Sequence, residues 1–254
     1  MKPLSLLKRL QAVRRGGPLI DVVPPDERPQ GLQEAYAIAA ALHAPGTEIG
    51  GYKIGATSVR GRQLLGLEGP FYGRVVKDTL TRSPASIRLG GRILALEPEI
   101  GCQMGVGLPA RGKPYSRGEV AASVRRVVPL IELNCPSFAA PFEVGGLCLI
   151  ADNGVNVGAV TGYPGSSGLD AIGASHVEVR VNGGAPVRGA PMPVPDDPLS
   201  SLAWLANALI EAGLELRAGD IVATGAMTAP IDIAQEANVV ADFGLLGVVQ
   251  VSLL

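Results

Sequence analysis

The chain has 254 residues, a formal net charge of −1, 47% hydrophobic residues and 18% charged residues. That length can bury one large core, with room for a small appendage. The near-neutral charge and the lack of a basic run argue against a partner read through its phosphates, and no stretch of about 18 apolar residues is present to span a membrane.

The low charged fraction is compatible with a surface partly covered by other subunits, or with exposed Gly and Ala. Cys102, Cys135 and Cys148 lie in apolar runs without a CxxC pair. They read as reduced, buried thiols of a cytoplasmic protein. Lys2, Lys8, Arg9, Arg14 and Arg15 interrupt the N-terminal segment, which therefore lacks the apolar core of a signal peptide. Leu4, Leu6, Leu7, Leu10 and Val13 fit an amphipathic helix packed on the domain rather than on a membrane surface.

In chain order, helices are predicted over Leu4–Val13 and Pro29–His43, joined by the extended, Pro-containing stretch Asp21–Asp26. From Glu48 on, Gly and Pro punctuate short apolar runs that read as strands: Ile49–Ile54, Ile93–Met104, Val127–Leu133, Leu147–Ala151, Val155–Thr161, Val177–Val181, Ile221–Thr224, Asn238–Phe243 and Gly247–Leu253. Three shorter helices interrupt them. Ser58–Leu65 is one. Ser116–Val124 opens with a capping box made by Ser116 and Glu119. Asp197–Ala212 opens with an Asp–Pro pair suited to N-cap and N1, and stops at Gly213. Tyr163–Asp170 is a loop, and Asp242-Phe243-Gly244 with Gly247 reads as a hairpin. Strands dominate from residue 85 on, with helices segregated to the N-terminal third, which gives an α+β class rather than alternating βαβ. The expected organisation is an N-terminal helical segment, residues 1–47, and a β-rich domain, residues 48–254, forming one compact unit.

The chemistry concentrates in carboxylates set inside apolar strands. Glu97-Pro98-Glu99 lies among Leu94, Leu96, Ile100 and Cys102, and Glu132 lies among Leu130, Ile131 and Leu133. Residues i and i+2 of a strand share a face, so Glu97 and Glu99 point the same way. Buried carboxylates are costly unless paired, hydrogen-bonded or metal-bound. A third glutamate alongside would make an all-oxygen site suited to Mg²⁺, Mn²⁺ or Ca²⁺; two solvated glutamates on a half-buried strand would explain the same pattern without a metal. Lys53, inside Gly51-Tyr52-Lys53-Ile54-Gly55, is either a snorkelling edge residue or a functional cation. Asp152-Asn153-Gly154 reads first as a turn. Gly225 after Thr224 either lets backbone N–H approach a ligand or permits a turn.

Taken in order, GYKIGATS, EPE, a Glu ending an apolar run, IADN, GDIVATG and ADFGLLG resemble the fumarylacetoacetate hydrolase superfamily. The similarity is greatest to its 2-keto-4-pentenoate hydratase and 4-oxalocrotonate decarboxylase branch, from about Ala35 to the C-terminus. It implies a mixed β-roll, barrel-like core with N-terminal helices, and a divalent metal, Mg²⁺ or Mn²⁺, held by Glu97, Glu99 and Glu132. It implies a small 2-oxo or 2-hydroxy-2-enoic acid substrate chelated through its carboxylate and C2 oxygen. Lys53 matches the family's active-site lysine, and Thr224, Gly225 and Asn153 fall in segments that line the substrate pocket. Asp78 matches a family acid. A homo-oligomer follows from the same resemblance, as does association with an enzyme of the same pathway.

Hydration of a 2-hydroxy-2,4-dienoate is the leading expectation, followed by decarboxylation of a 2-oxo-3-enedioate. Both place negative charge on the C2 oxygen, which a dication and an ammonium stabilise. Acylpyruvate hydrolysis, or a non-catalytic role as a partner subunit, ranks behind both. The hydrolases of the superfamily use a His–Glu pair; His43 reads instead as a helix-end residue and His176 as a strand residue. The chain departs from the resembled hydratases after Glu132, where Asn134-Cys135-Pro136-Ser137 contains no acid.

Overall fold

Local signals start and stop the helices. Ser58 caps α3 (Val59–Leu65) by accepting from Gly61 N–H at 3.0 Å, and Gly66 closes it in the left-handed conformation. Ser116 and Glu119 form a reciprocal capping box on α4 (Arg117–Ser123). Asp197 caps α6 (Pro198–Glu211), accepting from Leu199 N–H at 3.0 Å, with Pro198 at the first helical position. The remaining helices are α1 (Pro3–Arg14), α2 (Leu32–Ala41) and α5 (Gly146–Ala151). This computed structural model describes residues 3–88, 90, 92–163, 168–173, 176–190 and 197–254. Positions 164–167 of the expected Tyr163–Asp170 loop lie outside the described residues.

Two sheets carry the rest. The larger has the order β2 (Phe71–Val76), β1 (Ile49–Gly55), β10 (Ile221–Ala226), β5 (Leu94–Met104), β6 (Val124–Asn134), β7 (Asn156–Thr161) and β3 (Leu80–Arg82), with β11 (Ile231–Ile233) also paired to β5. It mixes parallel and antiparallel pairs and curls so that β2 packs against β7. The smaller has the order β4 (Ala85–Ile87), β13 (Val248–Leu253), β12 (Ala237–Asp242), β8 (Val177–Val181) and β9 (Val187–Gly189). The fold is α+β with a rolled mixed sheet.

A core of Leu96, Ile100, Ile131, Leu133, Val239, Phe243 and Val251 fills the space between the smaller sheet and one face of β5 and β6. Leu96 and Ile100 alternate with Glu97 and Glu99 along β5, so the carboxylates leave the opposite face, toward the inside of the roll. There Val75, Leu130, Ala159 and Ala223 make a small apolar patch. α4 and α6 pack with Tyr52, Tyr72 and Val222 in another cluster. α1, α2 and α5 pack around Phe71 and Phe138. No described helix is long and apolar enough to cross a membrane.

Three expectations need correcting. Leu147–Ala151 is not a strand but part of helix α5; it is buried nearly all round, so it lacks the period that separates helix from strand. α4, α5 and α6 place half of the six helices among the described residues beyond the N-terminal third. Strand β2 was not foreseen, because Gly73 and Arg74 break its apolar run.

Candidate metal centre

Cross-strand register builds the centre. Glu97 on β5 stands directly opposite Glu132 on β6, and Glu99 follows two residues on. One oxygen from each of the three carboxylates can be chosen so that all lie within 4.8 Å of one another. Glu99 and Glu132 are 1% and 0% exposed, and Glu97 is half-buried at the open side.

Each carboxylate is held by the protein. Gly225 N–H donates to Glu99 Oε2 at 2.6 Å, and Asn156 Nδ2 donates to Glu132 Oε1 at 2.8 Å. The Asn134 amide reaches toward Glu97 and favours its charged form. Glu99 Oε1 and Glu132 Oε2 are buried with no hydrogen-bond partner. Three carboxylates orient one another at close range while two of their buried oxygens lack a donor. An oxygen-ligated divalent cation fits that donor set, supplying the charge and the contacts the protein does not.

Lys53 enters from β1, its ammonium 3.3 Å from Glu132 Oε1 and 5.2 Å from the centre of the Phe71 ring. Burial opposes its charge, but Glu132, Glu97 and Glu99 more than offset that, and its pKa moves upward. The side chain threads past Gly154, where φ is +60° and a Cβ would stand 2.6 Å from Lys53 Cε. Only glycine fits there. Burial first, then repulsion from Glu132, raises the Glu97 carboxyl to about 7. Burial and the same neighbours push Glu99 well above the usual carboxylate range. Three carboxylates and one ammonium leave a formal charge of −2, the complement of a dication.

The structure brings Lys53, Glu97, Glu99 and Glu132 together, with Thr224 and Gly225 beside them. Thr224 Oγ1 donates to Ile100 O at 2.8 Å, which ties β10 to β5 where their register shifts. Gly225 has φ +122°, and a Cβ there would meet Thr57 Oγ1 at 2.6 Å, so the backbone turns its N–H onto Glu99 only because no side chain is present. Asn153 is placed differently from the expectation of a ligand contact. Its Oδ1 accepts from Arg74 N–H at 2.8 Å and its Nδ2 donates to Arg74 O at 2.9 Å, so the amide clamps β2. Asp78 is not brought to the cluster; it is exposed in the turn 77–79, past the end of β2, while Gly73 is the β2 residue opposite Lys53.

Asn134 and Asn156 were missed. Their signal was available: Asn134 follows Glu132 by two and must share its face. Asp152 is fully buried and accepts from Ser137 N–H at 2.8 Å, Ser137 Oγ at 2.9 Å and Arg14 at 3.1 Å, fastening α1 to the segment after β6. Val155, just before Asn156, has φ +62°, an unfavourable conformation for a β-branched residue, held where Asn156 turns toward Glu132.

The chain is similar to known proteins. A 4-oxalocrotonate decarboxylase of Pseudomonas putida is 30% identical over 205 residues, 80% of this chain and 76% of that one. The chain belongs to the 2-keto-4-pentenoate hydratase and 4-oxalocrotonate decarboxylase branch of the fumarylacetoacetate hydrolase superfamily. Among that branch's hydratases, the 2-keto-4-pentenoate hydratase of Paraburkholderia xenovorans (strain LB400) is 28% identical over 242 residues, 88% of this chain and 82% of that one. The branch also supplies a solved structure, the 4-oxalocrotonate decarboxylase of Pseudomonas putida G7 complexed with magnesium and adipate. It superposes with a TM-score of 0.87 at 26% identity, over 99% of this chain and 97% of that chain. No protein-family model matches the chain.

Proposed function

We propose that this protein is a divalent-cation-dependent lyase that hydrates a small 2-hydroxy-2,4-dienoate. The observation that carries the reading is the cluster of half-buried Glu97 with buried Glu99 and Glu132, the Lys53 ammonium 3.3 Å from Glu132, and two carboxylate oxygens that lack a partner. Glu97, Glu99 and Glu132 would hold the cation, Mg²⁺ or Mn²⁺, which when bound supplies Lewis-acid stabilisation of negative charge on the C2 oxygen of a 2-oxo acid.

The chain's own residues do the rest. Lys53 keeps its proton and offers a fixed, buried positive charge over the Phe71 ring, where an ammonium attracts a carboxylate far more strongly than in water. Asn156 and Gly225 hold Glu132 and Glu99 in place, so little reorganisation accompanies binding. Asn153 clamps β2 and Gly154 leaves the channel that Lys53 occupies.

Decarboxylation of a 2-oxo-3-enedioate is the second reading. It is favoured by the likeness to a 4-oxalocrotonate decarboxylase structure over nearly the whole length of both chains. The two reactions share the charge on the C2 oxygen and differ in whether water adds or CO₂ leaves. Purified protein with Mg²⁺, given each substrate while ultraviolet loss and CO₂ release are followed, separates them. Ultraviolet loss from the dienoate without CO₂ supports hydration; CO₂ from the enedioate supports the second reading; turnover of neither rejects both.

A further inference from the structure

Beside the carboxylates, Asn134 is a neutral polar group at the centre whose bonding is also incomplete. It ends β6, pairs with Ala95, and leaves the sheet on the same face as Glu132. It is 3% exposed, and its Oδ1 is buried without a hydrogen-bond partner. The buried hydroxyls of Thr224 and Ser137 are committed elsewhere, to Ile100 O and to Asp152. A buried acceptor left without a donor is destabilising, and natural structures keep few of them. The donor must come from something that binds.

We propose that Asn134 is a positioning residue of the cation site: its Oδ1 accepts a hydrogen bond from a water in the coordination shell of the cation, while its amide N–H steadies Glu97. The inference rests on the reading of the three glutamates as cation ligands. Small divalent cations keep several waters, and those waters are strong donors that need fixed acceptors. A fourth carboxylate at this position would add repulsion to a site that already concentrates three. A neutral amide holds the water without it.

The test titrates purified wild type, Asn134→Leu and Asn134→Ala with Mn²⁺ by calorimetry, and records thermal unfolding of each metal-free form. Leu matches the shape of Asn without its polar atoms. We expect Mn²⁺ affinity to fall about 10–100-fold in Asn134→Leu, and its metal-free melting temperature to stay level or rise, because an unsatisfied polar group has been removed. The relaxation of water protons by bound Mn²⁺ should change as well, since an ordered water is released. Wild-type affinity and relaxation in Asn134→Leu would overturn the proposal, as would a metal-free form that melts well below wild type with its affinity intact. If Asn134→Leu does not fold, Asn134→Ala carries the same comparison. Wild-type protein that binds no Mn²⁺ rejects the cation reading itself, and this proposal with it.

Discussion

The two sheets of this protein obey opposite rules. Along β12 the side chains alternate buried and exposed without interruption, and β13 does nearly the same. One face feeds the core and the other meets solvent, as an antiparallel sheet at a surface should. β5 and β6 are buried on both faces, yet their inner face carries Glu97, Glu99, Glu132 and Asn134. The smaller sheet stabilises through apolar area. The larger spends stability on charges and recovers it only when something with the opposite charge arrives.

Substitutions can break or sharpen that contrast. The largest effect is expected for Glu99→Gln. Turnover should fall on the order of 10³-fold, while the metal-free melting temperature should not fall, because the amide keeps the volume and an acceptor for Gly225 N–H without a carboxyl group crowded against two others. Steady-state kinetics with differential scanning calorimetry reads both; a variant that unfolds would make Glu99 a structural residue. Phe243→Ala is the mirror case. Removing a fully buried ring that packs the smaller sheet should cost about 3–5 kcal/mol in urea unfolding and leave kcat of the folded fraction unchanged.

Arg14→Ala probes the clasp between the two kinds of region. It strips the buried Asp152 of its ion pair, Arg14 itself being partly exposed, and should cost about 2 kcal/mol, read as a shifted urea midpoint. The pH dependence of the metal-free protein comes next. The Glu97 carboxyl sits at about 7 rather than the ordinary 4.5, so the folded state holds more protons than the unfolded chain between those values. Stability should then fall as pH rises through that window, and added Mg²⁺ should reverse the trend because it needs the ionised carboxylates. A stability that rises across the window would contradict the burial of Glu97 among like charges. Lys77→Ala, which breaks the exposed pair with Glu48, should leave the thermal midpoint unchanged within error.

The contrast also explains what could be read in the sequence. β12 and β13 were legible because alternation and the Asp242–Gly247 turn specify a hairpin. β5 and β6 were legible as apolar runs, and their carboxylates stood out because the other polar residues, Gln103, Arg125, Arg126 and Asn134, lie toward the strand ends. Caps at Ser58, Ser116 and Asp197 fixed three helix starts from single residues. α5 was not legible, since an apolar stretch as short as Leu147–Ala151 buried all round has no period to report. Asp78 shows the other limit. Motif order put it near the site, but only the pairing of β1 with β2 decides which residue of β2 faces Lys53, and it is Gly73. Asn156 depended on the left-handed turn through Val155, which no residue preference favours.

Strand order has a consequence for how the protein is made. β10 lies between β1 and β5, yet Ile221, where it begins, comes 89 residues (221 − 132) after Glu132. At ribosomal speeds of about 5–20 residues per second, that is a delay of roughly 5–20 s. In that interval the β5–β6 hairpin can emerge and pair with all three glutamates in place, while β1 still lacks the strand that will seat Lys53 beside them. The acidic hairpin is born without its counter-charge, and the centre closes only when β10, made well after it, slides into the gap.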